Sequence, residues 1–263
     1  MSGLHVERAG RGPALLLVHG WAMHGGVFAP LLPALTPHFE VITVDLPGHG
    51  HSRDSALPLA LDAVADALAE ALTAVSASRV LVAGWSLGGL VAMTLAARHP
   101  ARVRGLAMMA ASPRFVSAPD WRGGMDPRVF EIFGEELARD YRGTLDRFLM
   151  LEAQGDAHLR EALRYLRDAV YARGEPAPRA LHEGLSLLHD SDLRGLLPAL
   201  NTPTLWLSGR RDRLVSPQAM SDAAALANKS TVQVFEHAGH APFLTDPAAV
   251  AEALTRFAAD YPA

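Results

Sequence analysis

The sequence predicts an α/β fold: a mostly parallel central sheet flanked by helices, with a helical cap inserted into it. Three observations carry that reading. Short, nearly unbroken apolar runs recur along the chain, as strands covered on both faces require. Stretches of helical periodicity separate these runs. Between about Arg114 and Gly184 the alternation stops, and only helix patterns remain.

The elements follow in order. Leu15-Leu16-Leu17-Val18 and Val41-Ile42-Thr43-Val44 are the first two strand candidates. Leu61, Val64, Leu68, Leu72 and Val75 form one helical stripe. Val80-Leu81-Val82-Ala83 is the third strand; Gly84, Ser86, Gly88 and Gly89 break it, and Leu90-Val91-Ala92-Met93 resumes as helix. The 18 uncharged residues 80–97 therefore read as strand, tight turn and helix, not as a membrane span. Leu106-Ala107-Met108-Met109 is the fourth strand. In the inserted segment, Asp126-Pro127 starts a helix with Val129, Phe130, Phe133 and Leu137 apolar. Phe148, Leu149 and Leu151 mark a second helix, and Leu163, Leu166 and Val170 a third. Strands return at Thr204-Leu205-Trp206-Leu207 and Val232-Gln233-Val234-Phe235. Ser216-Pro217 and Asp246-Pro247 each read as a helix cap with a first-turn proline. The expected organisation is a core of residues 1–113 and 185–263 around a cap of residues 114–184.

Composition narrows the function classes. A chain of 263 residues, 49% hydrophobic and 20% charged, is too apolar for intrinsic disorder. The absence of cysteine excludes a disulfide scaffold, a thiolate zinc site and a cysteine nucleophile. A net charge of −4 provides no whole-chain attraction for nucleic acid. The N-terminal stretch Met1-Ser2-Gly3-Leu4-His5-Val6-Glu7-Arg8 lacks a basic region followed by an apolar one. A cytoplasmic monomer with no signal peptide and no membrane partner is the expectation.

Gly84-Trp85-Ser86-Leu87-Gly88-Gly89 fits the G-x-S-x-G pattern between a predicted strand and a predicted helix. A sharp turn there presents Ser86 Oγ at the carboxyl end of the strand, beside a helix N-terminus. The plainer alternative is a glycine-rich turn with a capping serine. A serine nucleophile needs a base, and the base needs an orienting acid. Asp212 is the single acid between the strand ending at Leu207 and the next helix. His240 follows the last strand. All three lie where α/β active sites form. His237 is a second candidate base, Asp45 is read as structural, and Asp212 could instead be a loop acid paired with Arg210, Arg211 or Arg213. A metal at His237 and His240, or at His49 and His51, lacks a convincing set of further ligands. The oxyanion donors expected are the backbone N–H groups of Leu87 and Trp21, the latter on the loop that follows His19-Gly20. Plain packing is the competing reading for the Trp21 and Trp85 side chains.

These residues resemble the α/β-hydrolase superfamily over essentially the whole chain. The match rests on His19-Gly20, Asp45-Leu46-Pro47-Gly48-His49-Gly50-His51-Ser52, the turn at Ser86, Asp212 and His240. More narrowly, the chain is similar to the esterases of biotin synthesis that cleave the methyl ester of a pimeloyl chain carried on acyl carrier protein. The marks are Trp21 after His19-Gly20, the run 84–92, Ser112-Pro113 followed by Phe115, Arg147-Phe148-Leu149, and His240-Ala241-Pro242-Phe243. The resemblance implies a Ser-His-Asp carboxylesterase with acyl carrier protein as partner and no cofactor. Trp21, Trp85, Phe115 and Phe148 are then expected walls for the acyl chain. Cap arginines would hold the acidic carrier, at Arg147, Arg160 and Arg164; where a further one is expected the alignment puts Gly143, beside Arg142. A solvated helix with Asp156–Arg160 and Arg164–Asp168 pairs is the competing reading of the same pattern. A general short-chain carboxylesterase, a C–C bond hydrolase and a ligand receptor on the same fold are the alternative functions.

Overall fold

The computed structural model describes residues 3–75 and 79–262. Met1, Ser2 and the Val75 side chain, used in the readings above, lie outside the described residues. Seven strands form one sheet: β1 (His5–Gly10), β2 (Ala14–Val18), β3 (Glu40–Asp45), β4 (Val80–Trp85), β5 (Val103–Met109), β6 (Thr204–Gly209) and β7 (Ser230–Phe235). Their order is β1-β3-β2-β4-β5-β6-β7. Only β1 runs antiparallel, against β3.

All six strand candidates lie within strands, and β1 is the one strand the apolar runs do not reveal. It is an edge strand with half-buried and exposed positions, so no continuous apolar run is needed. The central strands β2, β4, β5 and β6 are buried at every position.

The helices are α1 (Leu32–Leu35), α2 (Leu61–Val75), α3 (Leu87–Arg98), α4 (Pro127–Leu137), α5 (Tyr141–Ala153), α6 (Leu159–Tyr171), α7 (Pro178–Asp190), α8 (Pro217–Leu226), α9 (Pro242–Thr245) and α10 (Pro247–Asp260). The cap signals work as read: Asp126, Ser216 and Asp246 each accept a backbone N–H of the first turn. α3 is buried from Leu87 to Ala96 and packs on β2, β4 and β5. A helix apolar on every side belongs inside, which explains the hydropathy of residues 80–97. Among the described residues, no helix is long and apolar enough to cross a membrane.

Helices α4 to α7 lie between β5 and β6; α5 packs on α4 and α6, and α4 on α7. α7 runs unbroken through Gly184 and Leu185, so a cap boundary at that point would cut a helix. The helix ends at its C-cap, Ser191, which has extended backbone.

Candidate active site

The site is built where strands end. β4 stops at Trp85 and α3 starts at Leu87, so Ser86 alone makes the turn. Its backbone has φ 53° and ψ −122°, a strained conformation for a residue with a Cβ. The surroundings hold it there: Ser86 N–H donates to the Met109 carbonyl at 3.0 Å, and Gly89 N–H donates to the Ser86 carbonyl at 2.8 Å. The flanking glycines are compulsory. A Cβ on Gly84 would lie 2.3 Å from the Gly88 carbonyl oxygen, and one on Gly88 would lie 2.2 Å from that of Val18.

Ser86 Oγ lies 2.9 Å from His240 Nε2, and His240 Nδ1 lies 2.9 Å from Asp212 Oδ2. The second Asp212 oxygen accepts the N–H groups of Leu214 at 2.8 Å and Val215 at 3.0 Å. The acid and imidazole side chains are shut off from solvent. With Nδ1–H given to the carboxylate, Nε2 is left as acceptor for the serine hydroxyl. Such a chain can take the proton of a serine as it attacks a carbonyl carbon.

His237, weighed as the base, is turned elsewhere: its Nδ1 lies 3.5 Å from Arg211 Nη2. Arg210 is bound to Glu236 and Arg211 reaches His237, and among the described residues the salt bridge of Asp212 is with His240, not with Arg210, Arg211 or Arg213. His51 comes together with His5 and Glu7, whose potential ligand atoms all lie within 4.8 Å of one another. The other Glu7 oxygen is taken by Arg173 at 2.6 Å.

Leu87 opens α3, so its N–H is one that a helix start leaves without an intrahelical acceptor. A Cβ on Gly20 would lie 3.2 Å from Ser86 Cβ, which brings the loop carrying Trp21 against Ser86. The Trp21 indole donates to the Leu181 carbonyl of α7 at 2.9 Å, and its ring centroid lies 4.5 Å from that of Phe148 on α5. Gly184 lets α7 approach, because a Cβ there would sit 2.6 Å from Trp21 Cδ1. Trp21 is thus where α5 and α7 meet the loop after β2. Phe115 is buried, but among the described residues no ring contact joins it to this pair.

Trp85 has another place than the expected pocket wall. Its indole N–H donates to the His240 carbonyl at 2.8 Å, and Phe243 meets its ring edge-on at 5.1 Å. It holds the backbone of the histidine. The residue after a strand-end glycine points away from the nucleophile next to it, a signal available in the sequence.

The cap arginines divide. Arg142 is bound to Glu175, and Arg147 to Glu136 with Asp140 nearby. Arg160 and Arg164 are exposed on α6, and among the described residues neither is in a salt bridge. The Asp156–Arg160 and Arg164–Asp168 pairs of the competing reading do not form. Asp156 instead accepts the His158 N–H and the Thr245 hydroxyl.

Asp45 has the structural place expected of it: it binds the N–H of Gly25 and of His51 and the guanidinium of Arg173, tying the end of α6 to the core. One further feature is not among the sequence expectations. Glu152 on α5 is fully buried, and neither oxygen has a hydrogen-bond partner among the described residues. Its place at i+4 from Phe148 in an apolar stripe was a readable signal.

The sequence pattern of the alpha/beta hydrolase fold family matches residues 13–247. The chain is 54% identical over 256 residues to a protein of Stenotrophomonas maltophilia (strain R551-3) named pimeloyl-[acyl-carrier protein] methyl ester esterase, covering 97% of this chain and 96% of that one. A protein of the same name from Xanthomonas oryzae pv. oryzae (strain MAFF 311018) is 52% identical over 259 residues, covering 98% and 100%. Among solved structures, an esterase from Exiguobacterium antarcticum superposes with a TM-score of 0.86 at 23% identity, over 97% of this chain and 94% of that one, a likeness of fold.

Proposed function

The chain belongs to the alpha/beta hydrolase family, and from that premise we propose that it is a serine carboxylesterase hydrolysing the methyl ester of pimeloyl-acyl carrier protein in biotin synthesis. The observation that carries the chemistry is the unbroken chain Ser86–His240–Asp212, with both links at 2.9 Å. The observation that carries the substrate is the identity of more than half the residues with proteins of that name, along nearly the whole length.

Ser86 Oγ attacks the ester carbonyl carbon as His240 Nε2 takes its proton. Asp212 orients the imidazole and stabilises the imidazolium. The N–H groups of Trp21 and Leu87 receive the oxyanion. The intermediate collapses, His240 returns the proton to the leaving oxygen, and methanol departs. Water, deprotonated by His240, then cleaves the acyl-enzyme and frees the pimeloyl acid, still joined to its carrier. No step calls for a cofactor. Trp21 and Phe148 wall the acyl chain, and the enzyme works as a cytoplasmic monomer.

The acidic carrier docks on the cap. Arg160 and Arg164 are the strongest contact candidates, because among the described residues their guanidinium groups have no carboxylate partner. Arg142 and Arg147 would have to exchange Glu175, Glu136 and Asp140 for the carrier. The test uses a strain that lacks its own esterase. The wild-type chain should restore growth without biotin and Ser86→Ala should not; rescue by the alanine variant would overturn the assignment. Replacing Arg160 and Arg164 by Glu should lower kcat/KM on carrier-bound ester about tenfold or more, while a free short ester is turned over as before. Equal loss on both substrates would remove the docking role.

A further inference from the structure

The Glu152 carboxyl lies inside the protein with 0% exposure and with both oxygens unpartnered among the described residues. It shares the inner face of α5 with Leu145, Phe148 and Leu149. Less than one turn further, the chain rests on both loops of the triad. A Cβ on Gly155 would meet the Arg211 carbonyl oxygen at 2.1 Å, and one on Gly239 would meet the Gln154 carbonyl oxygen at 3.1 Å. Ala157 N–H donates to the His237 carbonyl at 3.0 Å, and Asp156 accepts the Thr245 hydroxyl. The cap is therefore seated on the loops that carry Asp212 and His240, and Glu152 lies at that seam.

We propose that Glu152 is a positioning residue: a neutral carboxylic acid that keeps the cap seated on the Asp212 and His240 loops, and that unseats it when it loses its proton. This rests on the triad reading above. A carboxylate without donors or a cation cannot be held inside a protein at low cost. Among the described residues the charged neighbour acting on it is an acid, not a cation. Asp212, on the loop after β6, is negative and is bonded to His240 on the loop after β7. The Arg211 side chain is turned to His237, and Arg147, on the same helix, is held by Glu136. Burial, and then the charge of Asp212, push the Glu152 carboxyl well above the usual carboxylate range. Ionisation would place a second negative charge at the seam, and the cheapest relief is to let water in by lifting the cap.

Glu152→Gln keeps the shape and stays neutral at every pH. Infrared difference spectra of the wild-type protein at neutral pH should show a protonated carboxyl band that disappears in alkali and is missing from Glu152→Gln. On a short chromogenic ester, wild-type kcat/KM should fall by about one decade per pH unit on its alkaline limb, while the variant matches wild type at neutral pH and retains activity further into alkali. If Glu152→Gln misfolds, Glu152→Met provides the second comparison. Absence of the band at neutral pH, or alkaline limbs that superimpose while turnover is intact, overturns the proposal and leaves the triad standing. Loss of turnover in wild type at all pH values would instead break the triad reading.

Discussion

Two acid–histidine clusters sit at the carboxyl ends of parallel strands, and they differ in whether the histidine reaches a serine. At the end of β6, Asp212 gives one oxygen to backbone N–H groups and the other to His240, whose far nitrogen reaches Ser86. At the end of β3, Asp45 gives its oxygens to Gly25, His51 and Arg173. His19, beside it, spends both nitrogens on backbone: Nδ1–H donates to the Gly20 carbonyl at 2.8 Å and Nε2 accepts Leu46 N–H at 2.9 Å. His49 donates Nδ1–H to the Pro47 carbonyl, and its ring meets His19 edge-on. Burial, reinforced by the neighbouring His49, holds His19 down to about 3. Burial likewise holds His49 down to about 4. Similar residue types thus serve catalysis or architecture according to where the second ring nitrogen goes.

Exchanging the acids should separate the clusters most sharply. Asp212→Asn leaves the packing in place but favours the wrong imidazole tautomer, and kcat should fall about 10^4-fold with the melting temperature nearly unchanged. Asp45→Asn should do the reverse: about 2–4 kcal/mol of unfolding free energy lost, read from denaturant titration, with kcat/KM of the folded protein within about threefold of wild type. Similar activity losses in both variants would erase the distinction.

A smaller effect belongs to pH. His19 and His49 are neutral in the fold and titrate near their usual value of 6.5 when unfolded, so the unfolded chain binds more protons in acid. Their contribution is complete above pH 6.5 and is lost as pH falls through about 4 and then 3. His49→Gln removes one of the two titrations, and melting temperature against pH should be flatter for the variant between 6.5 and 4. Parallel curves would show that His49 is not held neutral. The smallest change is expected from Trp85→Phe, which deletes the hydrogen bond to the His240 carbonyl. A stability loss of about 1 kcal/mol and a kcat lowered about three- to tenfold at constant KM would fit a residue that only places the histidine backbone. A rise in KM alone would return Trp85 to the pocket wall.

Much of this was legible along the chain. Buried parallel strands need unbroken apolar runs, so β2 to β6 stand out; the edge strand β7 is largely exposed and is legible only from its alternating Val232 and Val234 and the following Phe235. The half-exposed antiparallel β1 has no such run, and its pairing with β3 depends on residues far away in sequence. Ser86 was legible because a strand-to-helix turn this tight demands Gly84 and Gly88. Asp212 and His240 were legible from their place after strands, although the pattern left His237 open, and only the fold turns that ring toward Arg211.

By itself, the sequence determined the layer architecture, the helical interruption and the strand-end positions of a serine, an acid and a histidine, because periodicity and turn chemistry are local. Tertiary structure decided the rest. Among the described residues it left Arg160 and Arg164 without carboxylate partners, and it set Trp85 under the histidine and buried Glu152 beside the Asp212 and His240 loops. Partner choice and desolvation arise from segments far apart in the chain, and no local pattern records them.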